Sequence, residues 1–228
     1  MEMPYFIWNG IKSSDIGIVV NKLPPITIAE ERIELKKVAG RNGYLSISDG
    51  TLDSTLKSCE CTLLETANLS EVIKLLRGNG KITFSNEPDY EYEAIIINKI
   101  PFEQIIPNLY KFIIQFECQP LKLLVNQDLI TLTTPTTIYN QGTYVSQPEL
   151  KIYGLGNVSI TINNQTFNIN NLTDYITIDS ELEKCYKDTQ PLDNQMVGGF
   201  PILKTGENVI SWTGSIAKIE LQPRWRCL

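Results

Sequence analysis

The sequence predicts a mainly-β protein of two domains: an N-terminal β-sandwich or split-barrel-like domain carrying one α-helix, and a C-terminal β-sandwich. Three observations predict it. Period-two alternation of apolar and polar residues dominates the chain. Only one segment has helical periodicity. The composition is that of a globular chain, with 42% hydrophobic and 20% charged residues over 228 positions, enough for two ordinary β domains.

The clearest strand runs through Tyr110, Phe112, Ile114, Phe116 and Cys118, which alternate with Lys111, Ile113, Gln115, Glu117 and Gln119. Residues 90–100 read as another strand. Cys59, Cys61 and Leu63 share one side of a third, so the two thiols are expected in the core. The helix is expected over 69–77. Asn68 is placed as N-cap, Glu71 in the capping-box position, Leu69, Val72, Ile73 and Leu76 as an apolar stripe, and Gly78 as a left-handed C-cap. In the second half, Val158–Ile162 and Phe167–Ile169 flank Asn163-Asn164-Gln165, a hairpin signal. Thr213-Gly214-Ser215 is expected to turn a second hairpin between Asn208–Trp212 and Ile216–Leu221. Gly40-Arg41-Asn42-Gly43 and Gly154-Leu155-Gly156 read as turns at strand ends. The domain boundary is placed near Gln119-Pro120, where proline interrupts strand pairing, giving domains 1–122 and 123–228. The first domain should hold the longer strands and the second a run of short ones with turns every 8–12 residues.

Composition also excludes chemistry. The chain has no histidine, which removes Ser-His-Asp and Cys-His sites and most zinc and non-haem iron sites. No phosphate-binding loop or dinucleotide fingerprint is present. No catalytic residue, cofactor or metal ligand is therefore assigned. The net charge of −6 and the absence of any basic cluster argue against stable nucleic-acid binding. Apolar runs such as Ala94–Ile97 are far shorter than the roughly 20 residues a bilayer needs, and the acidic start Met1-Glu2 does not suit a signal peptide, so no membrane insertion is expected. Five cysteines, an odd number, read as reduced thiols made in a cytoplasm. Asp49 and Asp179-Ser180-Glu181 are the best carboxylates for acid–base work on a sugar, but turn-capping is the plainer role for an Asp at a strand end.

Two ordered sets of residues carry a resemblance. The first is Phe6, Trp8-Asn9-Gly10, Ser13-Ser14-Asp15, Gly17, Leu23-Pro24-Pro25, Arg32, Gly40-Arg41-Asn42-Gly43 and Asp49-Gly50. The second is Ile176–Glu181, Gly198-Gly199-Phe200-Pro201, Asn208–Gly214 and Ile219–Arg226. Together they resemble the distal tail proteins of siphophages infecting Gram-positive bacteria and of related phage-like tails. Asn42 stands where that pattern commonly has Asp, a change that keeps the turn chemistry.

The resemblance implies a structural tail-tip protein, not an enzyme, made in the cytoplasm of a bacterial host and ending in the tail of a virion or phage-like particle. It implies a homohexameric ring of N-terminal domains around a channel, with galectin-like C-terminal domains projecting outward. Implied partners are the tail tube protein, a tail-associated or fibre protein and, in some members, a receptor-binding protein, while DNA transits without stable binding. The expected subunit contacts are Trp8 and Asn9 in the first strand and Arg41, Asn42 and Asp49 around the 40–50 turn, because glycines and polar turns there do little for a core of their own. Two alternatives remain: a carbohydrate-binding module for cell-wall attachment using Trp212 and Trp225, or a carboxylate hydrolase using Asp179.

Overall fold

The structure is a computed structural model describing residues 3–64 and 67–228, so Met1 and Glu2, read above for targeting, lie outside it. It is mainly β, with a single α-helix among the described residues. Its contacts divide it into two compact units, one ending at Val125 and one spanning Asn126–Cys227.

In the first unit, an antiparallel sheet runs in the order Ile11–Lys12, Phe6–Trp8, Asn79–Phe84, Tyr90–Ile96, Leu109–Cys118, Thr55–Leu63 and Ile18–Lys22. Flat, it would hold Phe6 and Phe116 three strands, or about 14 Å, apart. Their rings instead meet at 5.8 Å, and Phe116 also touches Trp8 and Phe84, so the sheet curls around its own apolar face. The alternation read from the sequence delivers that face. Phe112, Ile114, Phe116 and Cys118 are buried from one strand, and Cys59, Cys61 and Leu63 from its partner. Burial pushes the Cys61 and Cys118 thiols up to about 12, which leaves them unreactive core groups.

The helix spans Leu69–Leu75 and packs Val72 and Leu76 against this core. The Asn68 side chain caps it by accepting from the Ser70 and Glu71 amides. It ends earlier than the stripe suggested. Leu76 leaves helical geometry and is itself the C-cap, and Gly78, although left-handed at φ 76°, lies in the bend just before the strand that begins at Asn79. The strand expected over 90–100 likewise stops at Ile96.

The second unit corrects three expectations. Gly206–Gln222 is one continuous strand of 17 residues, not a hairpin, and it pairs with the 14-residue strand Glu149–Ile162. The longest strands therefore lie in the second half of the chain, and Gly154 and Gly156 sit inside a strand, not at its end. The turn-like residues mark a shared bend. Register shifts between Leu155 and Ser159, opposite Thr213–Ser215, and Gly214 adopts φ 96°. On either side of the bend the long strands take different neighbours. Residues 149–153 pair with Tyr175–Asp179, whereas Val158–Ile162 pairs with Gln165–Leu172 across the Asn163-Asn164 turn. Two layers are thus made from two bent strands. They bury Leu150, Ile152, Ile160, Phe167, Ile169, Ile178, Ile210, Ile219 and Leu221 completely.

Gly214 has both a left-handed backbone and no room. A Cβ there would lie 2.7 Å from the Asn157 carbonyl oxygen. Gly214→Val is expected to cost about 2 kcal/mol or more, because strain and collision add. Urea unfolding would read this as a lower midpoint at unchanged slope, and a wild-type midpoint would remove the bend's dependence on glycine.

Candidate assembly site: an exposed arm and its buried anchor

Glu31–Lys37 and Tyr44–Leu52 form a two-stranded antiparallel arm joined by the Gly40–Gly43 turn. Among the described residues neither strand pairs with anything else, so both edges keep unpaired backbone groups. Its register places Ile33, Leu35 and Tyr44 on one face and Leu45 and Ile47 on the other. All are between 38% and 60% exposed, as are Val38 beside the turn and Ile26 in the lead-in. A two-stranded ribbon is marginal in water, and apolar groups on both faces have nothing within the ribbon to pack on. A bulge near the base, at Asp49-Gly50-Thr51, is closed by the Asp49 carboxylate. It accepts from the Thr51 amide and hydroxyl at 2.9 and 2.5 Å, which hold it below the usual carboxylate range. Asp49 therefore stands inside the second arm strand, not at its end.

The arm is held at its root. The Pro24 carbonyl accepts from the Asn86 amide at 3.0 Å, and the Pro25 carbonyl accepts from the Lys57 ammonium at 3.4 Å. On the return side, the Asp53 amide donates to Glu30 at 2.8 Å, Arg32 pairs with Asp53, and the Ser54 hydroxyl donates to Glu117.

Lys57 occupies a core position of the strand Thr55–Leu63, in phase with Cys59, Cys61 and Leu63, and is only 2% exposed. Its ammonium lies 3.6 Å from Glu87 and over the rings of Tyr92 and Phe84. Glu87 also accepts from Lys122 at 3.0 Å and from the Tyr92 hydroxyl at 2.8 Å. Burial alone would raise the Glu87 carboxyl. The hydrogen bonds from Tyr92 and Lys122 and the two ammonium charges outweigh it, so the group sits below its ordinary value. Burial, then the Glu87 charge, drive the Tyr92 phenol upward. The alternation rule alone would have placed an apolar residue at 57, and that conflict was the available signal.

The residues singled out from sequence fall in different places. Arg41 and Asn42 are exposed in the arm's turn, and Asp49 near its base. Asn9 is exposed, but its side chain accepts from the Lys81 amide at 2.9 Å. Trp8 is 3% exposed, packs on Phe116 and donates to the Leu75 carbonyl, so it is a core residue without a free surface. In the second unit, Trp225 is 5% exposed and Trp212 is partly buried opposite Ile160, which leaves no open Trp225 face for a sugar ring. Asp179 accepts a bidentate pair from Arg224 at 2.8 and 2.9 Å and the amides of Glu181 and Leu182. Burial pushes its carboxyl up, but these donors hold it below the usual range, the opposite of what a general acid requires. Arg224 also reaches Glu149 at 2.8 Å, closing a network the sequence did not reveal.

No protein-family profile and no curated protein matches the chain. Its structure is similar to the crystal structure of the Dit protein of phage SPP1, described as a paradigm of the hub adsorption apparatus in phages that infect Gram-positive bacteria. The TM-score is 0.72 over 96% of this chain and 98% of that one, at 14% sequence identity. This chain has the Dit fold. The likeness covers both units, so the arm and its anchor lie within the Dit-like fold and not in an appended domain.

Glu87 is the only carboxylate among the described residues that faces the two buried ammoniums, so its loss should cost more than the loss of either. Glu87→Gln is expected to lose about 3–5 kcal/mol, the range for leaving buried charge uncompensated. Lys57→Met leaves a neutral Glu87–Lys122 pair and should cost about 1–2 kcal/mol, mostly the unpaired Pro25 carbonyl. Because the folded carboxyl lies below its unfolded value, its stabilisation is present above an unfolded pKa of about 4.3 and is lost as pH falls through the folded value. Urea unfolding between pH 3 and 7 would measure both effects. A Lys57→Met loss larger than that of Glu87→Gln would contradict this assignment.

Proposed function

We propose that this chain is a structural subunit of a phage tail tip, a hub linking the tail tube to a tail-associated or fibre protein. One observation carries the reading: an arm with two unpaired edges and two apolar faces, on a subunit with the fold of a phage adsorption hub. An exposed ribbon of this kind gains its stability by docking, through main-chain hydrogen bonds along an edge and burial of its faces. The first partner is a second copy. A ring from one kind of subunit uses a heterologous contact, with one patch on each copy meeting a different patch on the next, and an arm supplies such a pair naturally.

In this reading residues 1–122 build a homohexameric ring and residues 123–228 form an outer, galectin-like domain that contacts the tail-associated, fibre or receptor-binding protein. The subunit performs no reaction. The net charge of −6 suits a channel through which DNA moves without sticking, since phosphate binding requires cationic contacts. The carbohydrate-binding alternative would need a surface other than Trp225.

Light scattering behind a sizing column, followed by negative-stain imaging, tests the proposal. The full chain is expected as a six-fold ring with an open centre. A chain with residues 27–52 replaced by a short Gly-Ser linker is expected as a folded monomer. A full chain that stays monomeric, alone and with tube and tail-associated partners, would end the hub reading. An arm-deleted chain that still forms rings would remove the arm from it.

A further inference from the structure

The arm is electrically polarised. Toward its tip it carries Lys36, Lys37 and Arg41; Glu34 holds Lys36 at 3.4 Å, which leaves Lys37 and Arg41 as the charge of the tip. Its base carries Glu30, Glu31 and Asp49, while Arg32 is neutralised by Asp53. Directly after Asp53, Ser54 lines an open groove of about 570 Å³ on the same unit, together with Asn79, Glu93, Ile95, Glu117 and Gln119. The lysine of that groove, Lys81, is paired with Glu91 at 2.8 Å, so among the described residues Glu93 and Glu117 have no ion pair, Glu117 accepting only from the neutral Ser54 hydroxyl. The root therefore presents net negative charge around an exposed apolar residue, Ile95. The tip presents positive charge around Val38, Tyr44 and Leu45.

A strand of 7 residues holds the tip about 20 Å from the root. That exceeds the screening length of about 8 Å at physiological salt, so a copy cannot neutralise its own root with its own tip. Another copy can. We propose that the cationic tip of each arm docks in the acidic groove at the arm root of the next copy, so that arms follow one another head to tail. This rests on the self-assembly reading above and adds to it the receiving surface. Tip and groove are different patches, as closure of a ring requires. Opposite charge fixes the direction of insertion and penalises tip-to-tip and root-to-root contacts.

A charge swap tests the proposal. With Ser54→Ala as the control for the bond that half-buried Glu117 accepts at the arm root, K37E/R41E and E93K/E117K are each checked for an intact fold by unchanged urea midpoints. Each is expected to weaken assembly about tenfold, as two exposed ion pairs would, and to flatten its salt dependence. The four substitutions in one chain should restore assembly. In parallel, R41C and E93C chains are mixed with a short bismaleimide, the native cysteines being buried, and a dimer band is expected only when both are present. No restoration and no cross-link, while arm deletion still abolishes assembly, would overturn the groove and leave the hub reading standing. Unimpaired assembly in either double variant would also overturn it. A wild-type chain that neither assembles nor cross-links would overturn both.

Discussion

A lysine in the core of the first unit is the constraint on which the placement of the exposed arm depends. Lys57 is buried among Phe84, Tyr92 and two cysteine-bearing strands, where an unpaired ammonium would be untenable. Glu87 supplies the counter-charge and Lys122 shares it. Such a network adds little to net stability, since the attraction largely offsets the cost of desolvating its members. Its value is directional. A methionine at position 57 could fill the same space but could not donate to the Pro25 carbonyl. The ammonium fixes where the chain leaves the sheet, and Asn86 fixes the preceding carbonyl. The start of a mobile-looking ribbon is thereby tied to the most rigid part of the domain.

The second unit reaches a defined shape by another route. Two long strands pass from one layer to the other, bent where Gly154 lies opposite Ile216 and Gly214 packs on Asn157 and Val158. A sandwich built this way keeps its layers in register through covalent continuity as well as side-chain packing. Arg224 adds a further tie, linking Glu149 at the start of one long strand with Asp179 at the end of its neighbour. Asp179 and Glu181, two of the carboxylates considered for catalysis, are committed to this tie.

Much of the fold was legible because burial follows period two. The strand 109–118, the Cys59–Leu63 face, the Asn68 cap and the Asn163-Asn164 turn could be read from local pattern alone. What escaped was non-local. Thr213-Gly214-Ser215 has turn chemistry, and only its pairing with the bulged 154–158 segment makes it a bend inside a strand. Lys57 and Arg224 look like surface cations until their partners, thirty to seventy-five residues away, are known. The arm's turn was legible as glycines, but its isolation was not, since a hairpin that stands free and one that joins a sheet share the same alternation. Trp8 misled for the reverse reason: an aromatic residue beside an Asn-Gly turn suits an interface as well as a core, and the curl of the sheet decided for the core.

An exposed ribbon with apolar faces and open edges is also a hazard, since any strand of another chain could pair with it. The distribution of charge along the arm answers that hazard. Lys37 at the end of one strand and Arg41 in the turn repel a like tip, and Glu30 and Glu31 at the strand's start repel a like root. Parallel pairing, which would set matching ends together, is penalised, and approach of a tip to a foreign root is favoured. The anchor at Lys57 adds the second requirement, because selective docking needs an arm that leaves the sheet in one direction. In the proposed assembly the buried charges set the geometry of the arm and the exposed charges set the order of association, and both are needed for an apolar ribbon to find one partner surface among many.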